Sequence, residues 1–230
     1  MRSRLFLIAG LVVVALVCIR LGIWQAHRLR ERRAANAIAL AARSQPVVTL
    51  GEASWDSTLV NRRVRIRGRY DHAHDIVLRG RQYGGVPGVE IVSPLLAEHG
   101  DRAVLVNRGF VPSPDAATVA SDSLREPGPV TVEGIALPIG SDSGAPLQHG
   151  GRTTWARLDR EGLRSRLPYP LYPLYLRQVP DSALPAFPRR LEPPPLDDGP
   201  HLSYAIQWFS FALIALIFAG IFARRREPSS

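Results

Sequence analysis

"HLSYAIQWFSFALIALIFAGIF", residues His201–Phe222, decides what kind of chain this is. From Leu202 to Ala223 it runs 22 residues without a charge. As a helix that is about 33 Å, enough to cross a bilayer. The stretch opens on a histidine, carries Tyr204 and Trp208 at helical spacing, and is closed by Arg224-Arg225-Arg226. On a wheel of about 100° per residue, Ala205, Trp208, Ala212, Ala215 and Ala219 fall within about 40° of His201, with Tyr204 at the stripe's edge. Ile206, Leu213, Ile214, Ile217 and Ile221 lie opposite. Small residues in a span mark a face where something packs closely, and large aliphatic residues suit lipid.

A second apolar run stands near the other end. Leu5–Ile19 is interrupted by Arg20 and resumed by Leu21-Gly22-Ile23-Trp24. Arg20 can snorkel to the headgroups and Trp24 suits the interface, so residues 5–24 are expected to form a first span. It reads as an uncleaved anchor: no A-x-A site follows it in a good place, and Val17 is too bulky for lipoprotein processing at Cys18. The Ala-rich continuation predicts a juxtamembrane helix over 25–45. Two spans, 5–24 and 201–223, put both termini on one side. The short tail 224–230, with its three arginines, argues that this side is cytoplasmic. Arg20, Arg28, Arg30, Arg32 and Arg33 argue the other way, but long translocated segments follow the charge rule poorly. The main domain is therefore expected outside the cytoplasmic (inner) membrane.

That domain, residues 46–180, reads as mostly β. "RRVRIRGRY" (Arg62–Tyr70) alternates Val64, Ile66, Gly68 and Tyr70 with arginines, the period-two pattern of a half-buried strand. "DIVLRG", "GVEIVSPLL" (Gly88–Leu96), "RAVLVNRGFV" (Arg102–Val111), "PVTVEGIAL" (Pro129–Leu137) and "LYLRQV" (Leu174–Val179) bring the number of strands to about six. Their spacing predicts an antiparallel barrel or sandwich. Ser113–Arg125 is expected to hold a short helix. Asp142–Gly151 reads as a flexible loop, and the proline-rich stretch 181–200 as an extended linker back to the membrane.

Composition removes several functions. The net charge is +9, and every basic side chain is arginine. There is thus no Schiff-base lysine and no complete P-loop. One cysteine, Cys18, allows no intramolecular disulfide and no C-x-x-C. The arginines are spread along the chain without interleaved aromatics, which speaks against nucleic acid as a partner. No G-x-S-x-G or H-E-x-x-H occurs, and no carboxylate pair is set up by spacing.

Six stretches in order carry a resemblance: "LGIWQAHRL" (Leu21–Leu29), "VPGVEIVSPL", "VLVNRGFVP", "VEG" (Val132–Gly134), "WARLD" (Trp155–Asp159) and "HLSYAIQWFSFA". Together they resemble the Surfeit-locus family of cytochrome c oxidase assembly factors, bacterial members included. The resemblance covers the whole chain, with Phe110 standing where the family's strand motif carries tryptophan. It implies two spans around an external domain and a part in maturing haem-copper oxidases. It also implies that haem a is bound and passed to the catalytic subunit of cytochrome c oxidase, with haem a synthase as a further partner. The family's haem-linked histidine heads the second span, which is His201 here. Tyr204 and Trp208, one and two turns on, would line the ring, and neutral imidazole suits iron.

Plainer readings stand beside this one. His201 can be an interfacial residue, and the alanine face can simply pack on the first span. The protein can then be a scaffold for oxidase subunits that never holds haem, or a membrane-anchored envelope hydrolase. His27 is a candidate second ligand. His72 and His74, between Asp71 and Asp75, read as a polar turn more readily than as a metal pair. His99 and His149 read as solvated. Arg79, Arg81 and Arg108 can meet haem propionates, but surface ion pairs are the simpler expectation. Gly109 is expected to permit a bulge or a close approach of strands.

Overall fold

The computed structural model describes residues 2–50, 55–98, 101–140, 146–149, 151–193 and 195–224. His99, Arg225 and Arg226 lie outside them. The chain divides into two compact units. One comprises residues 1–38 with 196–230, the other residues 39–195.

In the first unit, helix α1 (Arg2–Ser44) runs without a break from the apolar segment through the Ala-rich one. The second long helix (His201–Arg224) is the last element among the described residues. Both are long and apolar enough to cross a membrane. They run antiparallel. Arg4 donates from Nε to Phe222 O at 2.7 Å and from Nη2 to Ala223 O at 2.8 Å. It thereby satisfies carbonyls that the last turn of a helix leaves open. At the other end Gln25 meets His201.

Within this unit the buried positions of α1 are Ala15, Cys18, Gly22, Gln25 and Leu29, a three-four spacing that keeps one seam facing a partner helix. The last helix answers with buried Ala205, Ala212, Ala215 and Ala219. Gly22 lies close under the last helix, where a Cβ would stand 2.8 Å from Phe209 Cε1 and the ring would have to shift. Ile206, Leu213, Ile214, Ile217 and Ile221 face outward, as the wheel predicts for lipid.

The second unit is a β domain with nine strands among the described residues: β1 (Val48–Leu50), β2 (Arg63–Tyr70), β3 (Ile76–Tyr83), β4 (Val86–Ala97), β5 (Ala103–Pro112), β6 (Pro129–Pro138), β7 (Leu147–His149), β8 (Arg152–Trp155) and β9 (Leu171–Gln178). Helix α2 (Arg160–Arg164) precedes β9 and completes the list with α3, the terminal helix. The sheet order is β1-β2-β6-β9-β5-β4-β3-β8-β7, and a further pairing of β2 with β4 closes five strands into a barrel. Pairing is mostly antiparallel. The exceptions are β1–β2, β3–β8 and β5–β9.

Strand β2 alternates exposed and buried residues without a fault. Its Val64, Ile66 and Tyr70 join Leu95, Val104, Val106, Val132 and Leu176 in the barrel core. A second apolar cluster covers the outside of β3, β4 and β5 with Trp155, Leu158 and Leu163. Strand β5 is buried from Ala103 to Phe110 because it is packed on both faces. That is why it reads as a continuous apolar run rather than an alternating one.

Three findings depart from the sequence reading. The described part of the supposed loop at 142–151 holds β7, hairpin-paired with β8. Between Ser113 and Arg125 there is a single 3₁₀ turn, Ser121–Leu124. The proline-rich stretch is not a plain extended linker: it turns where Leu184 N donates to Asp181 O at 3.1 Å, and its Arg189 exchanges backbone hydrogen bonds with Phe110 at 2.7 and 2.8 Å. Its Arg190 is buried.

Candidate functional site

The candidate site lies in the helical unit, where the chain enters α3. Asp197 Oδ1 accepts from Gly199 N at 3.0 Å, closing a turn. Gly199 takes φ +66°, a conformation that favours glycine. Pro200 O accepts from Tyr204 N at 3.1 Å and from Ser203 Oγ at 2.8 Å, which starts the helix. Arg32 Nε and Asn36 Nδ2 both donate to Asp197 O, and Arg33 pairs with Asp198 at 2.8 Å. The entry turn is thus tied to α1 by three side chains within about one helical turn.

His201 is half-buried at this junction. Its Nδ1 lies 2.8 Å from Oε1 of Gln25, a side chain only 9% exposed. Gln25 is the one polar side chain among the described buried positions of α1 within this unit. A buried amide left unpaired costs about 1–3 kcal/mol, so His201 is the partner that makes Gln25 tolerable there. The contact engages Nδ1, and no hydrogen bond to Nε2 is seen among the described residues. The side of the ring carrying Nε2 faces Gly199, where an added Cβ would stand 3.6 Å from Cδ2 and 3.8 Å from Nε2.

Tyr204 is 47% exposed and Trp208 is half-buried. Trp208 meets Phe211 edge-to-face, with ring centroids 6.0 Å apart. Tyr204, Trp208 and Phe211 form an aromatic edge alongside the alanine seam. Phe211 was not a sequence candidate, although it stands at i+3 from Trp208. The alanine face itself is buried within the helical unit. A planar cofactor at His201 therefore has the aromatic edge available to it, and not the alanine stripe.

The donor set fits haem in its chemistry: a histidine with one nitrogen paired to an amide and the other without a hydrogen bond among the described residues, beside exposed aromatic surface. His27 does not join it. It lies two residues from Gln25, about 200° around α1, and is exposed.

The remaining candidates lie in the β domain. His72 Nδ1 is 3.2 Å from Asp75 Oδ2, while its Nε2 accepts from Glu126 N at 3.0 Å. His74 Nδ1 is 2.6 Å from Asp71 Oδ2, and Tyr169 Oη also donates to Asp71 at 2.9 Å. The two imidazoles serve opposite sides of one 3₁₀ turn. Burial pushes the Asp71 carboxyl up, but the bonds from His74 and Tyr169 outweigh it and hold it below the ordinary range. His149 sits on β7, 3.3 Å from Asp115.

Arg79 Nη1 donates to Thr154 O at 3.0 Å, and Arg81 Nη2 to Ala156 O at 2.8 Å. Arg108 is the clear departure from a surface ion pair: its side chain is 0% exposed. The register of β4 on β5 passes from Ile91↔Gly109 to Val92↔Asn107, so Arg108 is the extra residue of a bulge. The bulge turns it inward, where Nη2 meets Glu126 Oε1 at 2.6 Å and also Leu124 O, and the guanidinium lies 5.0 Å over the Tyr70 ring. Arg190 binds the same Glu126 oxygen. Burial raises the Glu126 carboxyl, but the bonds and charges of Arg108 and Arg190 prevail and hold it below its usual value.

A family model described as "SURF1 family" matches residues 12–213. The chain is 27% identical over 231 aligned positions to a SURF1-like protein of Monosiga brevicollis, covering 94% of this chain and 87% of that protein. It is 26% identical over 220 positions to a SURF1-like protein of Rickettsia felis, covering 90% and 92%. An uncharacterized SURF1-like protein of Mycobacterium tuberculosis is 30% identical over 177 positions, covering 73% of this chain and 64% of its own length.

Proposed function

The chain belongs to the SURF1 family, which is linked to cytochrome oxidase assembly, and on that premise we propose that it holds haem a through His201 and helps deliver it to the catalytic subunit of cytochrome c oxidase. The carrying observation is the histidine whose Nδ1 rests on Gln25 Oε1 at 2.8 Å while Nε2 has no hydrogen bond among the described residues. His201 would hold the iron, and Tyr204 and Trp208 would line the ring on its open side. When bound, the group would supply a Lewis-acidic iron and two propionates. The chain's residues bind, orient and release it, and no bond of a substrate is made or broken.

In this reading the two helices anchor the protein in the inner membrane, with both termini cytoplasmic and the β domain external. The β domain is the docking body for the oxidase subunit or for haem a synthase. A scaffold that never binds haem is the second reading. It is favoured by the alanine face, which is consumed by packing within the helical unit.

The test is the visible spectrum of the detergent-solubilised full chain, purified after co-expression with haem a biosynthesis, for wild type and His201→Ala. A haem a band in wild type that is lost on substitution supports the carrier. A wild-type protein without haem sinks it in favour of the scaffold.

A further inference from the structure

We propose that Gln25 is the positioning residue of His201: its side-chain oxygen accepts the Nδ1 proton, fixes the Nδ1–H tautomer and turns the Nε2 lone pair outward as the ligating atom. The ligand it serves rests on the haem reading above. The tautomer does not, and can be measured without haem.

Three observations carry this. The Nδ1···Oε1 distance is 2.8 Å, an ordinary hydrogen bond. Gln25 interrupts a seam otherwise made of Ala15, Cys18, Gly22 and Leu29, where an apolar side chain would pack without needing a partner. Beyond the ring, Gly199 at φ +66° leaves the approach to Nε2 clear of any side chain from its own position. A neutral imidazole carries one proton, and whichever nitrogen donates leaves the other as acceptor or ligand. An amide oxygen on Nδ1 therefore commits Nε2 to ligation. It also makes the imidazole a better donor to a metal, as carboxylate and carbonyl partners of metal-bound histidines do.

The identity of the amide atom facing Nδ1 decides the matter. With the amide turned over, its NH₂ would donate to Nδ1, Nε2 would keep the proton, and the ligating face would be blocked.

The haem-free experiment is ¹⁵N NMR of histidine-labelled full chain in detergent at pH about 8, where an ordinary imidazole is neutral. The His201 signals are identified by their loss in His201→Ala. The expected result is a predominant Nδ1–H tautomer in wild type that moves toward Nε2–H in Gln25→Leu. A wild type already in the Nε2–H form, or a tautomer indifferent to Gln25→Leu, overturns the proposal.

The haem experiment uses the same proteins loaded with haem a. Gln25→Leu is expected to weaken retention about 10- to 100-fold. The midpoint potential should rise in Gln25→Leu and fall in Gln25→Glu, whose carboxylate is a stronger acceptor. A seam that merely needed filling would give no such opposite shifts. If wild type binds no haem, the carrier reading fails, and the tautomer alone decides the role of Gln25. If wild type binds haem through His201 and neither potential nor tautomer moves, the positioning role fails and the carrier stands.

Discussion

Replacing Gly109 by alanine should damage the β domain more than any other single methyl addition at its positive-φ glycines. Gly109 sits at φ +115° on the bulge that turns Arg108 inward. A Cβ there would lie 2.0 Å from Arg189 O, 2.5 Å from Arg189 C and 2.9 Å from Arg190 N. All three are backbone atoms, so no side-chain rotation relieves the overlap. The segment carrying Arg189 must move away from β5, and the paired backbone bonds between Phe110 and Arg189 must open.

Two backbone hydrogen bonds together contribute about 1–3 kcal/mol, and a non-glycine residue held in a sparsely populated backbone region costs about 1–3 kcal/mol. The expected loss is thus about 2–6 kcal/mol, a large share of the stability of a domain this size. Gly128 provides the control. It has φ +85° and no atom within 4 Å of a built Cβ, so Gly128→Ala meets the backbone strain alone. The assay is the thermal midpoint of the full chain in detergent by near-ultraviolet circular dichroism. At about 2–4 °C per kcal/mol for a domain of this length, Gly109→Ala should melt several degrees below Gly128→Ala. Equal midpoints would refute the argument that the Phe110–Arg189 approach is structurally required.

Two further outcomes follow from the same geometry. Glu126→Gln leaves the buried Arg108 guanidinium without its counter-charge and should cost about 3–5 kcal/mol. Because the folded Glu126 carboxyl is held below its ordinary value, its contribution to stability is present above about pH 4.3. It is lost as pH falls through the folded value, so the acid slope of the melting midpoint should be shallower in Glu126→Gln than in wild type. An unchanged slope would show that this carboxylate carries no linkage. For topology, a cysteine-free background (Cys18→Ala) carrying Ser57→Cys in the β domain or Ser230→Cys in the tail can be exposed to an impermeant maleimide on intact cells. Labelling at 57 and protection at 230 is expected, and the reverse pattern would invert the orientation.

How much of this was legible depended on whether a pattern was longer than one period. All six expected strands are present, because each keeps four or more residues in register with the pleat. The three that went unseen, β1, β7 and β8, have three or four residues, too few to show an alternation. They form because longer neighbours offer them an edge. Arg108 read as a surface residue for a related reason. Alternation assigns it a face, and the bulge reassigns that face using the positive φ of Gly109, the one local signal in the sequence.

The helical unit shows where periodicity stops. It names the faces of a span correctly, with isoleucines outward and alanines inward, but a face of small residues says only that something lies close. In the structure that face is used up in packing within the helical unit, so a ring ligated by His201 must be held at the seam's rim, against Tyr204 and Trp208. The rim is also where polar atoms can be afforded: Gln25 and His201 satisfy each other at the end of an apolar seam. Deeper in the pair, at Gly22 or Ala212, the same hydrogen bond would have to repay a full desolvation. The two residues are separated by 176 positions, so no local pattern joins them. A seam read as Ala15, Cys18, Gly22, Gln25, Leu29 does contain the clue, because a lone amide at a packing position asks for a partner. In a two-helix unit the only place to find it is the facing helix, at the level of its first turn.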